Sequence, residues 1–168
     1  MVFTGTYEHS IDSKNRLAIP SEIRGQVAKA AAGRSPKNEI HLYVTLGEGQ
    51  ALCLYTEEDF EKRAAELDHS ELEPQDLLAY ERLMYSLARR VELDKQGRVR
   101  LPENLLALSR LGADVVLMGV KDHLEIRDRQ TWQAHVQQKL AQEPHLLVNP
   151  RQAMRKTRSE DQPLHPEP

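Results

Sequence analysis

The sequence is poor in cysteine and in long apolar runs. Its single cysteine, Cys53, excludes a disulfide within the chain and favours a reducing, cytoplasmic setting in which the thiol is a small buried apolar group. No stretch approaches the roughly 18 apolar residues that a membrane-spanning helix requires, so no membrane partner is expected. Residues 1–10 contain neither a basic region nor an apolar core, and a secretion signal is therefore not expected.

Groupings typical of enzymes and metal sites are also missing. The seven histidines show no metal-type spacing, and there is no cysteine pair to join them. No glycine-rich phosphate-binding loop is present. His9 lies near Asp12, but no nucleophile or oxyanion-binding group accompanies them. We therefore predict that the protein is not an enzyme and uses no catalytic residue, metal ion, cofactor or small-molecule substrate.

Charge is unevenly distributed along the chain. The formal net charge is −3, yet residues 57–76 contain nine acidic and two basic residues, a local balance of −7. The remainder therefore carries +4, with basic residues in the segments 14–16, 95–100 and 151–158. Because an anion responds to the local field rather than to the total charge, a nucleic-acid partner is compatible with the acidic total.

A ten-residue pattern occurs twice. Residues 11–20 read IDSKNRLAIP, and residues 93–102 read LDKQGRVRLP. The shared order is an apolar residue, Asp, two polar residues, Asn or Gly, Arg, and an alternating apolar run that ends at Pro. Further matches, such as Leu54 with Ile126, have an offset of 72 residues instead of 82. The chain is therefore interpreted as two homologous halves, the first with about ten extra residues between positions 20 and 43.

The repeat divides the chain into four segments. Residues 1–67 form the first repeat, residues 68–90 a linker and an amphipathic helix, and residues 91–142 the second repeat. The remaining residues, 143–168, contain few apolar side chains and are expected to form a disordered tail. A repeat of about 60–70 residues is marginal for an independent hydrophobic core, so the repeats should pack on each other or oligomerise.

Patterning predicts a similar order of elements in each half. In the first half, an extended segment should turn at residues 12–15 and return from Arg16, which predicts a short hairpin. A helix, a second hairpin over residues 40–55 and a helix capped by Thr56 should follow. An amphipathic helix is expected over residues 75–90. The second half should repeat the order of the first, and the fold class is therefore α+β.

The repeated turn has a chemistry that suits DNA. Its Asp can accept hydrogen bonds from turn N–H groups, and the Asn or Gly tolerates the positive φ that a sharp reversal requires. The planar guanidinium groups of Arg16 and Arg98 suit hydrogen bonds to phosphate or to O6 and N7 of guanine. Lys14 and Lys95 lie beside them in the sequence and would contact the phosphate backbone of the DNA. In the alternative interpretation, Asp and Arg only pair with each other and the lysines are solvated. Two further arginines near the motif, Arg24 and Arg100, fit phosphate contact and solvent exposure equally well.

These repeats resemble the MraZ family of transcriptional regulators, which are built from two AbrB/SpoVT-type repeats. The resemblance is carried by EHSIDSKNRLAIP at residues 8–20 and ELDKQGRVRLP at residues 92–102, and it extends downstream through Trp132. It covers about residues 1–142. It implies a pseudo-twofold, double-repeat AbrB-like β core of the swapped-hairpin type with flanking helices.

The resemblance also implies a function. It predicts a ring-shaped homo-oligomer, cytoplasmic and associated with the nucleoid, that binds double-stranded DNA sequence-specifically at promoter repeats of the division and cell-wall gene cluster. The family's DNA-contacting motif maps onto residues 12–16 and 94–98, with the arginines as principal contacts. The expected DNA-binding residues are Ser13, Lys14, Asn15, Arg16, Lys95, Gln96, Gly97 and Arg98. Asn15 stands where the family usually has Gly, which makes the first turn more strained but still feasible. In the alternative function, the protein is an antitoxin-like module that uses the same β core to bind another protein.

Overall fold

The computed structural model describes residues 2–33, 39–67 and 73–143. The chain divides into two units, residues 1–130 and residues 131–168. The expected disordered tail lies outside the described residues except for Glu143, and so do residues 68–72 of the expected linker. In the second unit, the described residues form most of one helix, within which the Trp132 ring stacks on His135 with centroids 5.4 Å apart.

In the described residues, pairs of strands are followed by one or two helices, and the strands pair antiparallel. Eight strands and five helices are present: β1 (Thr6–Ser10), β2 (Arg16–Ala18), α1 (Ser21–Ala31), β3 (His41–Leu46), β4 (Leu52–Thr56), α2 (Glu57–Leu67), α3 (Pro74–Leu87), β5 (Arg89–Glu92), β6 (Arg98–Arg100), α4 (Glu103–Ser109), β7 (Asp114–Val120), β8 (His123–Asp128) and α5 (Arg129–Gln142). None of these helices has the length and apolar character needed to cross a bilayer. The α+β class is confirmed.

The strands form one large sheet and one small ribbon. Six antiparallel strands lie in the order β1-β7-β8-β4-β3-β5, and β2 pairs with β6 in a separate two-stranded ribbon. The hairpin predicted between the first extended segment and the strand from Arg16 is therefore wrong. The turn itself closes, since the Asp12 N–H donates to the Arg16 carbonyl at 3.0 Å. Its two arms then separate because each finds its pairing partner in the other half of the chain.

Pairing between the halves is symmetric. The β2–β6 register is centred on Leu17 opposite Val99, and the β4–β8 register on Cys53 opposite Glu125. Both are pairs of equivalent residues in the repeat. The first strand of each half also pairs with the other half, β1 with β7 and β5 with β3. The two halves therefore share one sheet, and neither contains all of its own pairing partners.

The ribbon covers one face of the large sheet. In a strand, successive side chains point to opposite sides, and the ribbon turns Leu17 and Val99 inward, where both are fully buried. Helix α1 contributes Ile23 and Val27 to the same core, and α4 contributes Leu105. From the sheet, the cluster includes Leu42, Val44, Leu52, Leu54, Val115, Leu117, Leu124 and Ile126. This face holds most of the buried apolar residues that the structure describes.

Helices α2 and α3 lie against the opposite face. The predicted cap of α2 is confirmed, because Thr56 Oγ1 accepts a hydrogen bond from the Asp59 N–H at 3.1 Å. Phe60 of α2 stacks on Tyr43 with centroids 4.3 Å apart and belongs to a small cluster with Cys53, Tyr55 and Met84. Cys53 and Tyr55 alternate along β4 with residues that face the ribbon. The acidic helix α2 is thus separated from the ribbon by the sheet.

Because the ribbon is part of the core, we predict that Leu17→Ala lowers the free energy of unfolding by about 2–5 kcal/mol through the cavity it leaves. Leu108→Ala is the control, since Leu108 is 44% exposed and its truncation should change stability by less than about 0.5 kcal/mol. Urea denaturation followed by circular dichroism measures both values. Equal losses for the two variants would contradict the placement of the ribbon in the core.

Candidate nucleic-acid interface

The first repeated turn is organised by Asp12. One carboxylate oxygen, Oδ1, accepts hydrogen bonds from the N–H groups of Lys14 at 2.9 Å and Arg16 at 3.0 Å. The other oxygen, Oδ2, accepts from Arg16 Nε at 2.8 Å and Nη2 at 2.7 Å. Asn15 adopts φ 59°, the left-handed conformation that the reversal requires. One side chain therefore fixes both the backbone of the turn and the orientation of its arginine.

The second turn reproduces this arrangement around Asp94. Its Oδ1 accepts from the N–H groups of Gln96 at 2.8 Å and Arg98 at 2.9 Å. Its Oδ2 accepts from Arg98 Nε and Nη2, both at 3.1 Å. Gly97 provides the left-handed residue, with φ 74°. The prediction that Asp accepts the N–H groups of the turn is confirmed in both copies, and in both the Asp also pairs with the Arg.

These contacts keep the two carboxylates ionised. The side-chain hydrogen bond from Arg16, followed by its backbone N–H, lowers the pKa of Asp12 from 3.8 to about 2. The pKa of Asp94 is also lowered, with the Arg98 N–H as the largest cause. A lowered folded-state pKa means that the stabilisation is present above the ordinary value and is lost as the pH falls toward 2. At neutral pH both turns therefore retain their Asp–Arg pairs.

The ribbon brings the two arginines onto one exposed surface. Directly opposite residues of an antiparallel pair face the same side, and Arg16 lies opposite Arg100 while Ala18 lies opposite Arg98. The surface made by these four residues is hereafter the ribbon face. Arg16 and Arg98 begin strands that run in opposite directions, so one turn lies at each end of this face. Arg100 is exposed and has no hydrogen-bond or ion-pair partner in the described part of the chain.

The two ends of the ribbon face are not identical. In the repeat, Ala18 is equivalent to Arg100, so the third arginine has no counterpart beside the second turn. Arg24 of α1 lies over the second turn, where its Nη1 donates to the Gln96 carbonyl at 3.4 Å. A Cβ on Gly97 would collide with that nitrogen, so a side chain at this position would displace Arg24 from the turn, and the positive φ itself favours glycine.

Most of the predicted site residues are accessible. The side chains of Ser13, Lys14, Lys95 and Gln96 are exposed, and Arg16 and Arg98 are 29% and 26% exposed. Gly97 is buried beneath Arg24, so its contribution is to the shape of the turn. Sequence patterning did not decide between phosphate and solvent for Arg100. The structure places Arg100 on the ribbon face, and the period-two alternation of residues 98 and 100 is the sequence signal for that placement.

Known proteins are similar in sequence to this protein over most of the chain. The sequence profile described as "MraZ protein, putative antitoxin-like" matches residues 2–79 and 84–156. The "Transcriptional regulator MraZ" of Mesoplasma florum is 32% identical over 132 residues, which is 79% of this chain and 84% of that protein. The protein of the same name from Clostridium tetani is 31% identical over 134 residues, 80% of this chain and 87% of that protein. Since the profile and both relatives match both repeats, the chain belongs to the MraZ family.

Proposed function

We propose that the protein is a DNA-binding transcriptional regulator that reads double-stranded DNA with the ribbon face. The observation that carries this proposal is the pair of Asp-anchored arginines, Arg16 and Arg98, one at each end of a single exposed surface. The two relatives from Mesoplasma florum and Clostridium tetani are both named as transcriptional regulators, which agrees with this proposal. The ribbon face offers cations rather than an apolar groove, which favours nucleic acid over a protein partner such as a toxin.

The geometry of each arginine suits base recognition. Its Asp engages Nε and one N–H of Nη2, which leaves the second N–H of Nη2 and both N–H groups of Nη1 for a ligand. These donors can reach the O6 and N7 acceptors of guanine in the major groove, which admits a two-stranded ribbon. Because the Asp already holds the fork in place, less conformational entropy is lost when DNA binds. In this proposal, the Asp–Arg pair supports DNA reading instead of competing with it.

Other cations near the turns would bind the DNA backbone. Lys14 and Lys95 are exposed on the two turns, and Arg100 lies beside Arg16. A compact ammonium group suits phosphate as a point charge, and neutralised phosphates release counterions. The acidic helix α2 lies on the other face of the sheet, so its like charge would stay away from the DNA.

We further propose that several copies act together. One ribbon spans only a few base pairs, and linked copies gain affinity on repeated promoter sites through effective concentration. Helix α3 leaves four large apolar side chains exposed, and a second copy of this chain could cover one of its two apolar sides: Leu78 with Tyr85, or Tyr80 with Leu83. The resemblance to the family adds the finer expectations of a ring-shaped assembly on the nucleoid and of targets in the division and cell-wall gene cluster.

The proposal predicts that Arg16→Ala and Arg98→Ala each weaken specific DNA binding by about 1–3 kcal/mol, which is roughly 5- to 150-fold in Kd. Fluorescence anisotropy measures this loss on a duplex selected by the parent protein from random fragments. The matched control is Arg90→Ala, because Arg90 is also paired with a carboxylate, Glu57 at 2.6 Å, but faces the α2 side of the sheet.

A structural role for the same arginines needs a separate control. Arg→Lys at either position keeps a cation next to the Asp but removes the planar fork, so it should retain the thermal stability of the parent more closely than Ala and still lose sequence preference. If Arg16→Ala and Arg98→Ala bind the selected duplex as tightly as the parent, the ribbon face is not the DNA-reading surface.

Salt dependence should separate phosphate contacts from base contacts. Lys14→Gln, Lys95→Gln and Arg100→Gln should each reduce the slope of log K against log salt by roughly one unit for each phosphate that the protein no longer neutralises, without changing the preferred sequence. Lys62→Gln on α2 is the control and should leave the slope unchanged. An unchanged slope in all three variants, or a new preferred sequence, would contradict the assignment of these cations to the backbone.

Assembly through α3 predicts a change in mass. The parent should scatter light as a multiple of the chain mass at micromolar concentration, and Leu83→Glu should shift it toward smaller species by placing a charge in the apolar contact. Leu83 is 63% exposed in the single chain, so the substitution should not unfold it. Leu108→Glu provides an exposed leucine outside α3 as the control. A parent protein that is monomeric both with and without DNA would rule out the assembly.

A further inference from the structure

A group of polar side chains lies on the face of the sheet opposite to the ribbon, where strands β4 and β8 meet. Cys53 pairs directly with Glu125, and His123, two residues before Glu125, faces the same side. The Cys53 sulfur, a ring nitrogen of His123 and a carboxylate oxygen of Glu125 all lie within 4.8 Å of one another. Cys53 is buried, as expected, but its neighbours on this side are not only apolar. Sequence spacing gave no indication of this group, because its members come from different halves of the chain.

The surroundings of His123 resemble those of a metal-bound histidine. Its Nδ1 lies 2.9 Å from Asp122 Oδ1, and its Nε2 lies 3.3 Å from Glu125 Oε1. A carboxylate that accepts the Nδ1 proton fixes the tautomer whose Nε2 lone pair is available, and metal-binding histidines commonly have such a partner. The other Glu125 oxygen, Oε2, accepts from Arg127 Nε at 2.8 Å. The imidazole and the carboxylate are therefore both oriented by neighbours outside the group.

From this geometry we propose that Cys53, His123 and Glu125 bind a divalent transition metal ion of the zinc type. A thiolate, an imidazole and a carboxylate are ligands of Zn²⁺, which takes four of them in a tetrahedral arrangement. The thiolate and imidazole disfavour Mg²⁺ and Ca²⁺, which prefer oxygen ligands. Three protein ligands leave a fourth position for water or another donor.

The ligands have room to close on an ion. Zinc–ligand bonds of about 2.0–2.3 Å place neighbouring ligand atoms roughly 3.5 Å apart, so separations of up to 4.8 Å need only small side-chain movements. A Cβ on Gly47 would collide with the Cys53 sulfur, so the absence of a side chain at Gly47 makes room for the thiol in its present position. The His123 and Glu125 side chains are 13% and 16% exposed, which gives an ion a path from solvent.

The consequence of binding is a bond between the two repeats. Cys53 belongs to the first half, and His123 and Glu125 to the second, and the Cys53–Glu125 pair is the centre of the symmetric β4–β8 register. Without metal, a proton on Nε2 of His123 can be shared with Glu125, and a bound cation replaces that proton. An ion held only by the folded arrangement stabilises the folded protein by mass action.

Cobalt provides a direct test with the full-length chain, stripped of metal by a chelator and kept reduced with a phosphine. Co²⁺ should produce the visible absorption of a tetrahedral site and a near-ultraviolet thiolate-to-cobalt band, and Zn²⁺ should abolish both by displacement. Zn²⁺ at about 100 times its Kd should raise the Tm by about 5–10 °C.

Substitutions test which residues bind the metal ion. Cys53→Ser should lose the thiolate band and the Tm shift, and circular dichroism checks that it remains folded. Asp122→Asn, at a residue that does not contact the metal, should keep the bands and weaken Co²⁺ binding about 10- to 100-fold. His135→Gln is the control for a histidine outside the group and should bind like the parent. Absence of the thiolate band in the parent, its survival in Cys53→Ser, or parental affinity in Asp122→Asn would overturn the proposal.

Discussion

Neither repeat can bury its own apolar strand faces, and the exchange of strands between the repeats supplies what each one lacks. The ribbon is the centre of this exchange, because Leu17 and Val99 meet there and are fully buried. The same alternation that turns these two side chains inward turns three arginines outward. Stability and the candidate DNA surface therefore depend on one short pairing, and a change that disturbs the register of the ribbon would affect both.

Much of the local structure could be predicted from the sequence. The Asp-centred turns, the cap at Thr56 and the hairpin of β3 and β4 all follow from interactions between residues close in the chain. The predicted hairpin of β1 and β2 was wrong because a turn signal shows only where the chain reverses. It does not show whether the two arms pair with each other or with strands of the other half, a choice made by burial of the shared core.

In the candidate sites, too, contacts within one turn could be predicted from the sequence, whereas contacts between the halves could not. Arg16 and Arg98 could be selected from the repeat, since the Asp–Arg contacts that orient them depend on a spacing within five residues. The position of Arg100 beside Arg16 depends on the pairing between halves, and so does the meeting of Cys53 with Glu125. The two interpretations of the Asp–Arg pair, structural bridge or DNA contact, also need not exclude each other. A carboxylate that fixes the guanidinium uses only one of its edges, and the remaining donors are oriented in advance, which lowers the entropy lost on binding.

The pairing of β1 with β7 also has a consequence for how the protein is made. During synthesis, residues 6–10 emerge from the ribosome long before their partners at residues 114–118. At typical elongation rates of 5–20 residues per second, the first strand waits about 5–20 s for its neighbour. Throughout this interval the nascent first half has unpaired strand edges, because the strands that pair with them belong to the second half. An unpaired strand edge favours aggregation, so the nascent chain is most exposed to aggregation before its last strands appear.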